Sequence, residues 1–76
     1  MHRISEHQAA LDQAEQHLSE GEERVARQAE IVARLRERGH DARLAQSLLC
    51  TFIECLGVMC THRDVEARAV SQGRYD

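Results

Sequence analysis

Five aliphatic residues, Ile4, Leu11, Leu18, Val25 and Val32, recur at every seventh position of the chain. The positions three further on are His7, Ala14, Gly21, Gln28 and Leu35. An a/d pattern held over five repeats specifies one long helix with a narrow coiled-coil seam. The outer f positions, Ala9, Gln16, Glu23, Glu30 and Glu37, are mostly polar, as a solvent face requires. Small or polar d residues make the seam thin. Gly21 costs about 1 kcal/mol against Ala inside a helix, so its place in the seam implies a close approach by a neighbouring helix. Gln28, polar at a d position, is a candidate for setting register. His7, also at d, reads as an imidazole at the end of the seam.

Gly39-His40-Asp41 interrupts the pattern. Gly39 follows Arg36 and Arg38 and suits the left-handed position after a helix end. Asp41 suits the N-cap of a second helix. So short a connection makes the two helices antiparallel. No Pro, no Trp, one Phe and one Tyr in 76 residues argue against a β-sandwich or barrel. The expected domain is thus residues 1–76 as one unit: helix 1 over about 4–38, a turn at 39–41, helix 2 over about 42–70 and a frayed tail at 71–76.

The second helix carries two apolar stripes. One is Ala45, Leu49, Phe52, Leu56 and Met59; the other is Leu44, Leu48, Cys55, Val58, His62 and Val65. Ile53, Cys50 and Cys60 add apolar surface elsewhere, and Gly57 offers a further close approach. A helix apolar on most sides needs more than one neighbour. Helices of about 52 Å and 44 Å, at 1.5 Å per residue, give each other only one. A lone hairpin leaves Leu48, Ile53 and Val58 partly wet, whereas two hairpins can form a four-helix bundle. The interface expected on these grounds comprises Leu48, Leu49, Phe52, Ile53, Leu56 and Met59 from helix 2, with Leu18, Gly21 and Val25 from helix 1.

Charge gives this assembly a direction. The net charge is −3 and every one of the ten basic residues is Arg. Residues 1–23 carry six acids and one Arg, a balance of −5, and residues 24–43 carry six Arg and three acids, a balance of +3. Antiparallel copies of helix 1 set acidic halves against basic halves; parallel copies set like against like. A dimer with its turns at opposite ends is therefore expected, with Gly21 letting the two copies of helix 1 cross closely.

The acidic balance disfavours a general nucleic-acid binder. Arg27, Arg34 and Arg38 share a helix face, but Glu30 and Glu37 lie within a turn of them and no aromatic residue interleaves to stack bases. The start, Met1-His2-Arg3-Ile4, turns polar at once, so no secretory leader is expected. The most apolar run, Leu48 to Cys60, is thirteen residues long, against the roughly 20 a membrane span needs. A buried helix segment rather than a membrane segment is expected. Three cysteines without a leader point to reduced thiols and a cytoplasmic location.

Those cysteines, Cys50, Cys55 and Cys60, are five apart, about 140° per step on a helix, and cannot converge on one ion within a chain. The plain reading is that they act as small buried hydrophobes. A sharper alternative exists. Cys55, Met59 and His62 fall at i, i+4 and i+7 with Glu66 one turn on, a soft-ligand ladder for copper or zinc and the basis of a metal-binding or thiol-based sensor. No nucleophile–base pair or carboxylate pair falls in a credible pocket.

The assembled residues resemble a group of short two-helix proteins of plant-associated and soil alphaproteobacteria. The resemblance rests on Glu20-Gly21-Glu22 with Arg24 and Gln28, on Ile31 and Arg34-Leu35, and on Gly39-His40-Asp41. It continues through Leu48-Leu49, Thr51-Phe52, Leu56 and His62-Arg63-Asp64. It implies no established activity. Cys50, Ile53, Cys55, Gly57 and Cys60 depart from it, standing where polar or charged residues are the pattern.

The expectation from sequence is therefore an all-α antiparallel two-helix hairpin that dimerises into a four-helix bundle. It is expected to serve as a non-enzymatic structural or protein-interaction module, without a cofactor, and its partner is a second copy or another helical protein. The alternatives are the metal or thiol sensor at Cys55, Met59 and His62, and a small nucleic-acid-associated regulator using the Arg-rich end of helix 1.

Overall fold

The heptad seam becomes one uninterrupted helix. In the computed structural model, which describes residues 2–72 and the side chains of residues 6 and 8–72, α1 runs His2–Glu37 and α2 runs Arg43–Ser71. They lie antiparallel in a rod of 57 × 14 × 14 Å. The protein is an all-α two-helix hairpin. Ile4 and His7 lie in α1, but their side chains fall outside the described set, as do residues 73–76 of the expected tail.

The turn is held by the backbone of the helix that precedes it. His40 N–H donates to Leu35 O at 2.9 Å and Gly39 N–H to Arg36 O at 3.1 Å. These two bonds form a Schellman motif, which needs a left-handed residue just past the helix end. Gly39 supplies it, with φ +71°. An L side chain there costs about 1–2 kcal/mol.

Asp41 does a different job from the one its position suggested. The residue flanking α2 is Ala42, and no side chain caps that end. Asp41 lies one residue too early to reach the second or third helical amide. Its Oδ1 instead accepts the Arg43 N–H at 3.0 Å, and Oδ2 accepts Arg43 Nη2 at 2.8 Å. The Arg43 guanidinium holds the Asp41 carboxyl below the usual carboxylate range. The first α2 bond then runs from Gln46 N–H to Ala42 O at 2.8 Å.

Packing follows the α1 seam. Ala14, Leu18 and Val32 are buried, with Gly21 and Gln28 between them. Leu11, Val25 and Leu35 are half-buried at the remaining a and d positions. On α2 the matching stripe is Ala45, Leu49, Phe52, Leu56 and Met59, all half-buried. Gly21 faces this stripe. A Cβ added there would lie 2.8 Å from Met59 Sδ and 3.1 Å from Leu56 Cδ1. The close approach is thus made by α2 of the same chain rather than by a second copy of α1. Gly57 is the opposite case: it is exposed and a Cβ there would meet nothing within 4 Å. It lies on the side of α2 away from α1, so it permits no close packing within the hairpin.

One polar residue is buried in the seam. Gln28 is 7% exposed, and its Nε2 donates to Ala45 O at 2.9 Å. A buried amide must be paired, and sliding the helices by one turn would break this bond. Gln28 therefore sets the register of α2 on α1.

Two outcomes test this account. Gly39→Val should destabilise the hairpin by more than about 1 kcal/mol in urea unfolding, and an unchanged midpoint would contradict the turn. Gln28→Ala should cost about 1–2 kcal/mol. Gln8→Ala, which removes only an exposed bond to Asp12, should stay within about 0.5 kcal/mol. Equal effects would remove the special role of Gln28.

Candidate interaction surface

Each helix of a hairpin has a single neighbour, and α2 is too apolar for that. No residue of α2 is buried. Among the described large hydrophobics, Leu44 is 85% exposed, Val58 71%, Val65 51% and Leu48 44%. These four are not scattered. With Thr51, Cys55, His62 and Ala69 they step along α2 in alternating intervals of four and three residues. The interval pattern is that of the seam facing α1, displaced by one residue. A displacement of one residue rotates the stripe by about 100° around the helix. The helix thus carries two stripes of alternating four- and three-residue spacing side by side, and the chain covers one.

Two contacts show which shoulder of the hairpin this is. Arg36 Nη2 donates to Gln46 Oε1 at 2.7 Å, closing one edge of the helix pair. On the other edge a shallow groove of about 300 Å³ is lined by Gly21, Arg24, Phe52, Cys55 and Met59. Arg24 occupies the g position of the α1 heptad. Ile31, one heptad later, is 40% exposed and borders the same edge. The uncovered stripe and Ile31 form one apolar shoulder. Ile53, 50% exposed, stands alone on the edge of Gln46.

The expected interface residues divide accordingly. Leu18, Gly21, Val25, Leu49, Phe52, Leu56 and Met59 occupy the seam between the two helices of one chain. Leu48 and Ile53 remain exposed. Leu44, Val58 and Val65 were absent from that expected set, although the second stripe was visible in sequence. What distinguishes them is the one-residue phase shift: it tells which stripe α1 takes and which is left over.

The hairpin by itself does not bury the cysteines. Cys50 and Cys55 are exposed and Cys60 is half-buried. Cys50 lies on the outer side of α2, where Gln46 Nε2 approaches its Sγ at 3.7 Å. Cys55 lies in the uncovered stripe. The candidate metal ladder is brought together only in part. His62 Nε2 is 3.9 Å from Glu66 Oε2, while Cys55 and Met59 line the groove beside Arg24. No group of three or more His, Cys, Asp or Glu side chains among the described residues could hold a metal ion.

The Arg-rich end is already partly engaged. Arg43 pairs with Asp41 and Arg36 bonds Gln46. Arg27, Arg34 and Arg38 are exposed. Around the turn, Arg36, His40, Asp41, Ala42, Arg43, Gln46 and Ser47 line a wide, open concavity, in which Asp41 sits among the cations. The apolar run of α2 extends beyond Leu48 to Cys60. Over an 18-residue stretch α2 reaches a mean hydropathy of 1.6, long and apolar enough to cross a bilayer by length and composition. The count of thirteen stopped at Leu48 and Cys60. A helix that buries its apolar side against protein meets the same test.

In comparisons with known proteins the chain matches no family model, no curated protein and no solved structure.

The exposure of the thiols is directly measurable. Cys50 should react with a thiol reagent in the native state at close to the rate seen in urea, and Cys60 should be distinctly slower, as read by mass spectrometry of the labelled peptides. Equal protection of all three would contradict the placement of Cys50 on the outer side of α2.

Proposed function

We propose that the protein is a non-enzymatic helical module that works by association, as a homo-oligomeric bundle. One observation carries this reading: α2 spans 29 residues and buries none of them. Fully burying a Leu or Val side chain is worth about 1.5–3 kcal/mol. Four such residues left largely wet along one stripe represent several kcal/mol that association can recover. A two-helix unit of this size has a correspondingly small reserve of its own.

The shape of the surface supports the same reading. A stripe of aliphatic and small side chains at coiled-coil spacing is complementary to another helix. Enzymatic sites instead draw convergent polar groups into concave pockets. The groove at Gly21 and Arg24 is shallow and mostly apolar. At the turn Asp41 pairs with Arg43, and Arg36 bonds Gln46. In this reading the hairpin is the building block and its function lies in what it assembles.

Sedimentation equilibrium of the purified full-length chain tests the proposal. The expected result is a species of at least twice 8.7 kDa at micromolar concentration, with helicity and melting temperature rising with concentration. A compact, stably folded monomer whose melting temperature is independent of concentration would overturn it.

A further inference from the structure

The hairpin offers its uncovered shoulder to one of several partners, and its geometry favours a particular one. We infer that the stripe from Leu44 to Ala69 packs against the same stripe of a second copy, antiparallel, with the two turns at opposite ends. This deepens the proposed function and rests on it: self-association could occur through other faces, and here one face and one orientation are specified.

Symmetry narrows the choice first. A closed pair of copies joins through a two-fold axis and uses the same patch twice. If two hairpins stack on this shoulder, the axis lies between them in only two ways. An axis along the rod sets α2 of one copy over α1 of the other and puts the turns at the same end. An axis across the rod sets α2 over α2 and α1 over α1, with the turns at opposite ends. In the first arrangement Leu44, Leu48, Val58 and Val65 would face the charged flank of α1. In the second they face each other. Burying those side chains against Arg and Glu heads would cost the desolvation of the charges, so the second arrangement is favoured.

The flank of α1 then has to accept a second α1, and its charges are ordered for it. On the shoulder side, one helical step beyond Arg24 and Ile31, the heptad places Glu6, Gln13, Glu20, Arg27 and Arg34. With Arg24, the later half of this flank is cationic, while the earlier half has Glu6 and Glu20. Arg3, at the far end, lies outside the described side chains. The acids that balance the basic half, Glu30 and Glu37, sit at outer positions of the helix. Parallel copies of this flank would oppose like charges; antiparallel copies oppose unlike ones.

The two helices also agree on where the axis passes. The midpoint of the stripe from Leu44 to Ala69 falls between Leu56 and Gly57. Gly21 lies opposite the span from Leu56 to Met59, whose Cδ1 and Sδ would meet a Cβ there at 3.1 and 2.8 Å. An axis near Gly21 places Glu6 of one copy within about a turn of Arg34 of the other and Glu20 within about a turn of Arg24, while the two copies of Glu20 come near each other at the axis itself. The apolar stripe and the charged flank are therefore satisfied by one and the same axis.

Disulfide trapping in the full-length chain tests the inference. In a background of Cys50→Ser, Cys55→Ala and Cys60→Ala, two single variants, Leu44→Cys and Ala69→Cys, are oxidised separately and mixed. The expected result is a disulfide between the two variants on mixing, with little product from either alone. In the otherwise wild-type chain, Val58→Arg should raise the dissociation constant at least tenfold, whereas Cys50→Arg, on the outer side of α2, should leave it unchanged. Self-linking of Leu44→Cys would overturn the orientation. A dimer that sediments as such, gives no link between Leu44→Cys and Ala69→Cys and ignores Val58→Arg would overturn the surface while leaving the proposed function standing. A monomer that instead floats with phosphatidylcholine–phosphatidylglycerol vesicles would overturn both, and would make a lipid surface the occupant of the stripe.

Discussion

One geometric limit governs this protein: a helix can offer a neighbouring helix a single stripe. The α1 heptad is narrow, with aliphatic residues at a and small or polar residues at d, and that stripe is used up by Leu49, Phe52, Leu56 and Met59 of α2. The displaced stripe of α2 gains no partner within the chain. This is why α2 has no buried residue although it is much the more apolar helix, and why the buried residues, Ala14, Leu18, Gly21, Gln28 and Val32, all belong to α1. The sparse helix is the better covered one because it needs so little cover.

Within that limit two α1 residues place α2. Gly21 lets Leu56 and Met59 approach the α1 backbone; Gln28 holds the Ala45 carbonyl at 2.9 Å. The first sets spacing and the second sets axial register. Aliphatic contacts tolerate sliding, because one methyl replaces another at modest cost. A buried amide does not, since an unpaired donor costs about 1–3 kcal/mol. The Schellman turn adds a third restraint by fixing where α2 starts. Spacing, register and starting point are all set within the chain, which leaves the second stripe straight and continuous rather than broken.

Much of the hairpin was legible in the sequence. The heptad from Ile4 to Val32, the left-handed Gly39 and the register role of Gln28 follow from periodicity and local stereochemistry, and these act over a few residues. The partner of Gly21 was not legible, because a seam glycine reports that something comes close without reporting what. Asp41 misled for a related reason. Its type suits a cap, but whether it reaches the second or the first helical amide depends on one residue of turn geometry. The cysteines were assigned to the interior because the middle of α2 is apolar all round. That inference needs enough helices to surround α2, and the two of one chain are too few without a second copy. The choice between the two α2 stripes was likewise open in sequence, since both have coiled-coil spacing and only the packing of α1 decides between them.

The phase relation between the stripes has an energetic consequence. Seams one residue apart are about 100° apart on the helix surface, near the right angle that a helix in a square four-helix bundle presents to its two neighbours. Occupying the second stripe therefore need not disturb the first. Association would add cover for Leu48, Val58 and Val65 without repacking Phe52 or Met59, and no strain within the hairpin opposes it. The same geometry couples the two events in the other direction. A hairpin whose register slips would rotate or shift the second stripe out of line with Ile31 and the charged flank of α1. Gln28, buried in the first seam one turn from Ile31 and bonded to Ala45 beside Leu44, then contributes to the shape of the neighbouring surface. The accuracy of the exposed face thus rests on that amide together with Gly21 and the Gly39 turn.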